Sequence, residues 1–389
     1  MKSVTLVLVE MIYLDHAAAT PMSERVVVAM TPFFAVDFYN PSAAYLPAVE
    51  VKRKYEEAKS ELGRVIGAKG SEIVMTAGAT ESINLAFSAV AGKVLISEIE
   101  HAAVMGAAKR GGEFEVVKVG KDGVLDVEDL KGKMSPEVEL VSVALANGEM
   151  GVIQPMTEIS RVVKEERVRR LREGEKRSIW LHSDASQALG LVDVGVARLG
   201  VDMLTLNAAK AYGPKQMGLL YVGSEVRLTP VVVGGGQELG LRSGTENVAG
   251  TIGFAEAAKE AYAKMAGERK RLEGLRRILR GKMEEVEGAR FLGNEKKQLV
   301  NFVSMVVSGV DAERVLFALD NKGVMVATGA ACAANKGGKS LALGALGLTD
   351  EEIAGSLRLT LGRLNTEENV RRAGELIVEA IEAERRRNG

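Results

Sequence analysis

The chain has 389 residues, with 51 Lys and Arg, 52 Asp and Glu, 4% aromatic residues and one cysteine. This length predicts two or three domains, and the balanced charge with few aromatic rings argues against a nucleic-acid-binding surface. A single cysteine excludes an intrachain disulfide and a cysteine-rich zinc site, and we expect no metal centre.

The N-terminus does not fit a targeting segment. Its short apolar stretch runs into Glu10 and Asp15 and lacks the long apolar region and cleavage site of a signal peptide. Met11 is an alternative start of translation. No apolar run reaches the roughly 18 residues of a membrane span, so we expect a cytoplasmic protein without membrane contact.

Helical and strand-like segments alternate through the first two thirds of the chain. Apolar residues at helical spacing predict a helix over 45–66, ending at Gly67, and another over 156–171. Buried strands are predicted over 72–76, 93–98, 138–146, 178–184, 202–207 and 217–223. This alternation is typical of a mostly parallel sheet covered by helices, in which ligands lie beyond the carboxyl ends of the strands.

A long helix, predicted over about 246–287, separates this body from a second and smaller unit. The elements predicted in that unit are strands over 299–308 and 356–362, helices over 311–320 and 366–386, and a Gly/Ala-rich loop around Cys332. We therefore predict a large α/β domain, a smaller α+β domain and a helix that connects them.

Two strand ends carry groups that fit a charged cofactor. The turn 77–82 follows a strand and opens a helix, where free N–H groups and the helix dipole favour a phosphate; an ordinary turn capped by Thr80 is the alternative. Asp184 ends the strand 178–184 and needs a cationic partner, such as a protonated ring nitrogen, or else caps a loop.

Lys210 follows the strand 202–207 and lies among alanines at the mouth of the sheet. Poor solvation favours the neutral amine that Schiff-base chemistry uses, whereas a solvated loop lysine is the alternative. A phosphate site, a strand-end aspartate and a desolvated lysine are together the requirements of pyridoxal phosphate.

The three histidines all lie beside these motifs. His101 follows a predicted strand, so we expect it at the same sheet edge, where its ring stacks on a flat cofactor or moves protons. For His16 and His182 we predict structural roles. Cys332 has only small neighbours and basic residues shortly downstream, so we predict an exposed nucleophile rather than an inert buried thiol.

Taken in order, these motifs resemble those of the pyridoxal-phosphate-dependent cysteine desulfurases of the NifS/IscS group, from Tyr13 to about Ala383. The motifs that carry the resemblance are YLDHAAATP (13–21), NPSA (40–43), AGATES (77–82), EHAAV (100–104), ANGEMGVIQP (146–155), HSDASQALG (182–190), KAYGPK (210–215), GGGQELGLRSGTEN (234–247) and SLRLTLGR (356–363).

The resemblance implies fold type I of the class-V aminotransferase kind, with a mostly parallel seven-stranded sheet and a small α+β C-terminal domain. It implies an N-terminal arm over 1–20 that packs on the small domain. It also implies a large pyridoxal-phosphate-binding domain over 21–260 and a small domain over 261–389 that carries the cysteine loop.

The resemblance also implies roles for individual residues. Lys210 matches the lysine that bonds to the cofactor, Asp184 the partner of the ring nitrogen and Gln187 the donor to the ring hydroxyl. His101 matches the histidine that stacks on the ring and takes part in proton transfer. Cys332 matches the cysteine that takes the sulfur.

Further matches concern the phosphate and the substrate. Thr245 matches a residue that reaches the phosphate of the other subunit, which implies a homodimer with shared active sites. Asn147 lies where the family contacts the cofactor ring and the substrate, and Arg358 lies where it binds the substrate carboxylate. The residues that match the phosphate grip are Gly78, Ala79 and Thr80.

The sequence departs from the family pattern at several positions. Ala209 replaces a histidine before the lysine and Asn207 a serine, while Tyr45 replaces a histidine and Leu239 an arginine. Losing one donor to a charged phosphate costs roughly 1.5–3 kcal/mol, which is about a 10- to 100-fold weaker cofactor. We expect Asn207 to bind the cofactor and offset part of this loss.

The expected activity is the conversion of L-cysteine to L-alanine, with the sulfur held as a persulfide on Cys332. The sulfur then passes to an acceptor protein, such as an iron–sulfur scaffold or a tRNA-thiolation protein. Selenocysteine cleavage, another pyridoxal-phosphate reaction on the same fold and a partner-binding scaffold with a weakened site are the alternatives. A nicotinamide enzyme is disfavoured because no GxGxxG follows a strand.

Overall fold

The computed structural model describes residues 11–329 and 340–388. The strands in it are β1 (Ile12–Tyr13), β2 (Ile73–Thr76), β3 (Lys93–Ser97), β4 (Phe114–Val117), β5 (Val138–Ser142), β6 (Trp180–Asp184), β7 (Met203–Asn207), β8 (Gly218–Val222), β9 (Ala289–Phe291), β10 (Phe302–Val307), β11 (Val324–Met325), β12 (Ala327–Thr328) and β13 (Ser356–Thr360).

Helices connect these strands and cover the sheets. They are α1 (Glu24–Met30), α2 (Pro32–Ala35), α3 (Leu46–Ile66), α4 (Ala79–Ala86), α5 (Ala102–Gly111), α6 (Val127–Lys133), α7 (Met156–Glu173), α8 (Val196–Leu199), α9 (Val248–Glu284), α10 (Ala312–Asp320), α11 (Leu341–Ala345), α12 (Asp350–Ala354) and α13 (Glu367–Asn388). None of the helices described here is long and apolar enough to cross a lipid bilayer.

The main sheet has seven strands in the order β2-β8-β7-β6-β5-β3-β4. Strand β8 runs antiparallel to both of its neighbours, and the other neighbouring strands run parallel. The predicted α/β class with a mostly parallel seven-stranded sheet is therefore confirmed. Because the strands run parallel across β7, β6, β5 and β3, their carboxyl ends meet at one edge.

Helices cover both faces of the main sheet, and both faces are accordingly built of apolar residues. Alternate residues of a strand enter opposite cores: Leu95 of β3 packs with α3, α7 and α9, whereas Val94 and Ile96 pack with α4 and α5. Such burial is what fixes the register of each strand, since a slip of one residue would exchange the two faces.

A second sheet, with the order β12-β13-β10-β9, is antiparallel and lies in a separate core. That core contains the C-terminal half of α9 together with α10 and α13. Strand β1 pairs in parallel with β11, and Asp15 forms a bridge to Thr360 at the end of β13. The N-terminal segment therefore runs along this second unit before it reaches the main sheet.

Most predicted elements lie within a few residues of the observed ones, including the long helix, which is α9. The strand predicted over 138–146 ends at Ser142, although the amides of Val143 and Leu145 still donate to carbonyl groups at the end of β6. The edge strand β4 and helix α5 were absent from the sequence-based assignment, because a half-buried edge strand shows no continuous apolar run.

Candidate active site

The turn between β2 and α4 presents backbone amides at the edge of the main sheet. Gly78 has a φ of 139°, a conformation that L side chains rarely adopt, and α4 begins directly after it at Ala79. No side chain caps α4, so the alternative in which Thr80 is the cap is wrong. The uncapped first turn of α4 therefore offers N–H groups and a helix dipole to an anion.

This turn is closely covered by β8. A side chain at Gly218 would place its Cβ 2.6 Å from the carbonyl carbon of Gly78, so only glycine allows the two backbones to approach this far. On the other side, Arg242 donates to Glu81 in the first turn of α4 at 2.9 Å. That contact brings the loop 242–247, with the exposed Thr245, to the start of α4 of the same chain.

Lys210 ends a short 3₁₀ turn that follows β7. Its Nζ donates to the carbonyl groups of Ala17 and Ala18 at 2.7 and 2.6 Å. Gln187, which follows β6, donates through Nε2 to the same Ala17 carbonyl at 3.0 Å. One carbonyl group of the N-terminal segment thus brings the side chains of Lys210 and Gln187 together.

Asp184 and His101 stand at neighbouring strand ends of the same edge. Asp184 is half-buried at the end of β6, and its Oδ1 accepts a hydrogen bond from the Ser186 amide at 2.9 Å. His101 precedes α5 and caps it, with Nδ1 accepting from the Ala103 amide at 3.1 Å, and its ring is exposed. This bond assigns the ring proton to Nε2, which remains available on the exposed side.

Arg358 reaches this edge from the middle of β13. It is 5% exposed, and it donates to Asp15 Oδ1 at 2.8 Å and to the Gly148 carbonyl at 3.0 Å. Its Nε is buried and has no hydrogen-bond partner among the described residues. The guanidinium group is therefore held in place by Asp15 and Gly148, and these two bonds leave further N–H groups, including that of Nε, for another anion.

Asn147 is buried in the turn that follows β5. Its Oδ1 accepts from the amides of Glu149 and Met150, both at 2.8 Å, and its Nδ2 donates to the Ile99 carbonyl at 2.9 Å. The side chain thus closes its own turn and ties it to the end of β3. One proton of Nδ2 remains for a ligand.

The departures from the family pattern lie beside Lys210, before α3 and in the loop after β8. Asn207 accepts from the Ala209 amide through Oδ1 at 3.0 Å, and its Nδ2 has no partner among the residues that the structure describes. The Ala209 carbonyl is itself bonded to Thr20. Tyr45 precedes α3 and is 53% exposed, and Leu239 adopts a φ of 61° and is 68% exposed.

The two other histidines occupy buried, bonded positions. His182 lies between Ser142 Oγ at 2.8 Å and Thr205 Oγ1 at 3.0 Å, and burial lowers its pKa to about 3. Burial also lowers the pKa of His16, whose Nδ1 lies 3.1 Å from the Thr360 carbonyl. Both rings are therefore neutral, which agrees with the structural roles predicted for them.

Three acidic residues of this region escaped the sequence reasoning. Asp15 holds Arg358, and its signal is an acidic side chain between an apolar pair and the alanine run 17–19. Glu149 accepts from Ser340 Oγ, and burial raises its pKa. Glu100 accepts from the Ala144 amide at 2.7 Å, and burial, with a smaller contribution from Asp184, raises its pKa to about 8. Each glutamate follows an apolar run, as Asp184 does.

Cys332 lies outside the described residues. The described chain before it ends at Gly329, whose amide donates to the Ser356 carbonyl at 2.9 Å. The described chain resumes at Ser340, which caps α11 and contacts Glu149. The first flank lies beside Arg358, because Ala327 of β12 pairs with it. The second flank contacts Glu149, which follows the Gly148 that accepts from Arg358.

Comparisons with known proteins agree with this arrangement. The sequence pattern of the class-V aminotransferases matches residues 12–373. The chain is 39% identical to "Cysteine desulfurase IscS 1" of Archaeoglobus fulgidus over 95% of this chain and 97% of that one.

Two solved structures have the same fold over most of the chain. A "NifS-like protein" superposes with a TM-score of 0.88 at 30% identity, covering 96% of this chain and 100% of that one. "SspA in complex with cysteine" superposes with a TM-score of 0.77 at 28% identity, covering 90% and 98%. The chain therefore belongs to the class-V aminotransferase family and, within it, to the cysteine desulfurases.

Proposed function

We propose that this cysteine desulfurase uses pyridoxal phosphate on Lys210 to convert L-cysteine to L-alanine and that Cys332 takes the sulfur as a persulfide. One observation carries the proposal: the segment 15–18 holds Lys210 through two carbonyl groups and Arg358 through Asp15. An α-amino acid has an amine and a carboxylate on one carbon. The segment 15–18 brings together Lys210, which marks where the substrate amine meets the cofactor, and Arg358, which suits the substrate carboxylate.

The cofactor fits the described residues. The amides at the uncapped start of α4 suit its phosphate, and Gly78 and Gly218 leave room for close backbone approach. Asp184 suits the protonated ring nitrogen, because one of its oxygens is the acceptor that a buried cation needs. When bound, pyridoxal phosphate supplies an aldehyde that joins to amines and an electron-withdrawing ring.

The chain's own residues then orient the substrate and move protons. Arg358 binds the substrate carboxylate with the N–H groups that Asp15 and Gly148 do not use, while those two residues fix the guanidinium plane. Lys210 and His101 Nε2 are the groups that take up and return protons at the substrate carbon and sulfur. Gln187 and Asn147 contribute donors beside the ring.

The sulfur leaves by a balanced exchange. The Cys332 thiolate attacks the substrate sulfur, the new S–S bond forms and the bond from the substrate Cβ to sulfur breaks. The electron pair of that bond stays on the substrate Cβ, which takes up the proton that the Cys332 thiol released, and the three-carbon product becomes L-alanine. The solved structure of SspA in complex with cysteine, which has the same fold, supports this choice of substrate.

The proposal includes two kinds of protein partner. Exposed apolar side chains on and just after the first helices and in the loop after β8 suit contact with a second copy of the chain, because exposed apolar groups mark association sites. They include Phe34, Val36, Phe38, Leu46, Val233 and Leu239. A sulfur-acceptor protein is the second partner, because the Cys332 persulfide has to lose its outer sulfur to an acceptor or a reductant before the next turnover.

The cofactor assignment is tested by borohydride reduction and peptide mass spectrometry. We expect the reduced cofactor on Lys210 and not on Lys215, which lies five positions on and donates to the Thr20 carbonyl at 3.0 Å. Lys210→Ala should lose the label, and the matched variant Lys215→Ala should keep it. A label on Lys215, or none in cofactor-saturated protein, would refute the assignment.

A further inference from the structure

Glu100 is a buried acidic residue for which the proposed mechanism has no use. It follows β3 directly before His101 and is 8% exposed. Its Oε1 accepts from the amide of Ala144, just beyond β5, at 2.7 Å. Its Oε2 is buried and has no hydrogen-bond partner in the described chain. The carboxyl group thus joins the ends of two neighbouring strands with half of its hydrogen-bonding capacity unused.

The charges around Glu100 are all accounted for on the elements packed against it. Asp184 lies at the end of β6, and its carbonyl accepts at 2.9 Å from the amide of Leu145, the residue after the Ala144 that donates to Glu100. His101, next in the chain, is exposed and bonded to the Ala103 amide. Within residues 11–329 and 340–388, no lysine or arginine forms an ion pair with Glu100. An ionised Glu100 would therefore be a buried charge beside another carboxylate, without a cation.

Two neighbouring carboxylates in a site of low polarity do not both ionise readily, and the more buried one keeps its proton. Burial raises the pKa of Glu100 to about 8, with a smaller contribution from Asp184. At neutral pH most molecules therefore carry a neutral acid at this position. Protonation of Oε2 then removes the negative charge from a buried oxygen that has no hydrogen-bond partner among the described residues.

We propose that Glu100 is a positioning residue that acts through Asp184. As a neutral acid it ties β3 to the chain after β5 and leaves Asp184 as the single negative charge opposite the cofactor's ring nitrogen. The inference rests on the proposed function, because it assigns Asp184 to that nitrogen. If the inference holds, the potential at Asp184 becomes more negative when Glu100 loses its proton.

The sign of the pH effect follows from the charge of each species. Above the pH at which Glu100 ionises, a second negative charge adds to that of Asp184 and attracts a protonated ring nitrogen more strongly. In the cofactor-free protein the same charge has no compensating cation. Because the folded protein then binds the Glu100 proton more tightly than the unfolded chain does, stability falls as pH rises from about 4.5 to about 8.

The test compares wild type with Glu100→Gln, which keeps the shape of the neutral acid but cannot ionise. We expect equal affinities for pyridoxal phosphate at about pH 6, and wild type binding roughly three- to tenfold tighter than Glu100→Gln at about pH 9. In cofactor-free protein, wild type should melt with the variant at about pH 4 and progressively below it as the pH rises to about 9.

Glu98→Gln is the matched control, because Glu98 lies two residues earlier and accepts only from the Val119 amide. It should follow wild type at both pH values. The ratio of the cofactor affinities of Glu100→Gln and wild type is the decisive quantity. If it does not change with pH, this inference is wrong, the proposed function stands and Glu100 is a purely structural residue. A protein that binds no pyridoxal phosphate would overturn the proposed function and this inference together.

Discussion

Asp15 and the carbonyl groups of Ala17 and Ala18 hold the two side chains on which an amino-acid substrate depends. The Asp15–Arg358 pair is largely buried, and breaking such a pair by removing one partner costs more than the pair contributes in net stability. The pair therefore matters mainly for geometry. It presents a guanidinium group with a free Nε at a defined place in the site.

In the proposed site, Ala209 stands where the family pattern has a histidine, and we expect the change to remove a donor to the cofactor phosphate. Ala209→His should tighten pyridoxal phosphate by about 10- to 100-fold, because a charge-assisted hydrogen bond contributes roughly 1.5–3 kcal/mol. Equilibrium binding to cofactor-free protein measures the change.

Ala209→Phe is the matched control, since it adds a ring of similar size without a donor. Tightening in both variants would mean that the ring packs rather than donates. Equal or weaker affinity in Ala209→His would show that the free Nδ2 of Asn207 already fills the place of the missing donor.

Among the elements, β8 approaches the turn before α4 closely, and this turn is the proposed phosphate site. Gly218→Ala adds a Cβ that would lie 2.6 Å from the Gly78 carbonyl carbon, so one backbone must move. We expect a loss of about 1–3 kcal/mol of unfolding free energy, as for other overpacked positions, together with weaker cofactor binding. Denaturant unfolding and cofactor titration measure the two effects.

A matched addition of one methyl group is available in α9. A Cβ at Gly281 meets no atom within 4 Å, so Gly281→Ala should stabilise the protein by about 0.5–1 kcal/mol through helix propensity. If Gly218→Ala has the unfolding free energy and the cofactor affinity of wild type, the close approach of β8 has no role in the phosphate site.

Local patterns predicted those parts of the fold and site that depend on local sequence. Lys210 and Asp184 follow apolar runs, and parallel strands bring such residues to one edge. Asp15 and Arg358 are 343 residues apart in the chain, and no local periodicity encodes such a pair. Arg358 entered only through the resemblance, and Glu100 and Glu149 were missed because their burial depends on tertiary packing.

At the scale of the whole molecule, the position of Thr245 decides whether two chains share each site. Within one chain Thr245 lies on an exposed loop that Arg242 fastens to Glu81. If Thr245 serves the partner's site, a hybrid dimer of a Lys210→Ala chain and a Thr245→Val chain contains one site with both residues intact. If it serves its own site, no site is intact.

Co-expression with two different tags isolates the hybrid dimer. We expect its cofactor content and sulfide release to exceed the mean of the two separate variants. No gain over that mean would assign Thr245 to its own subunit, and a monomeric protein would contradict the shared-site dimer altogether.

The proposed desulfurase mechanism depends most on the passage of the sulfur through Cys332. In Cys332→Ser neither Lys210 nor Arg358 is changed, so pyridoxal phosphate and L-cysteine should bind as in wild type. Without a thiol nucleophile, the variant should form no persulfide and release less than about 1% of the wild-type sulfide in the presence of a reductant. Wild-type sulfide release from Cys332→Ser would contradict the mechanism.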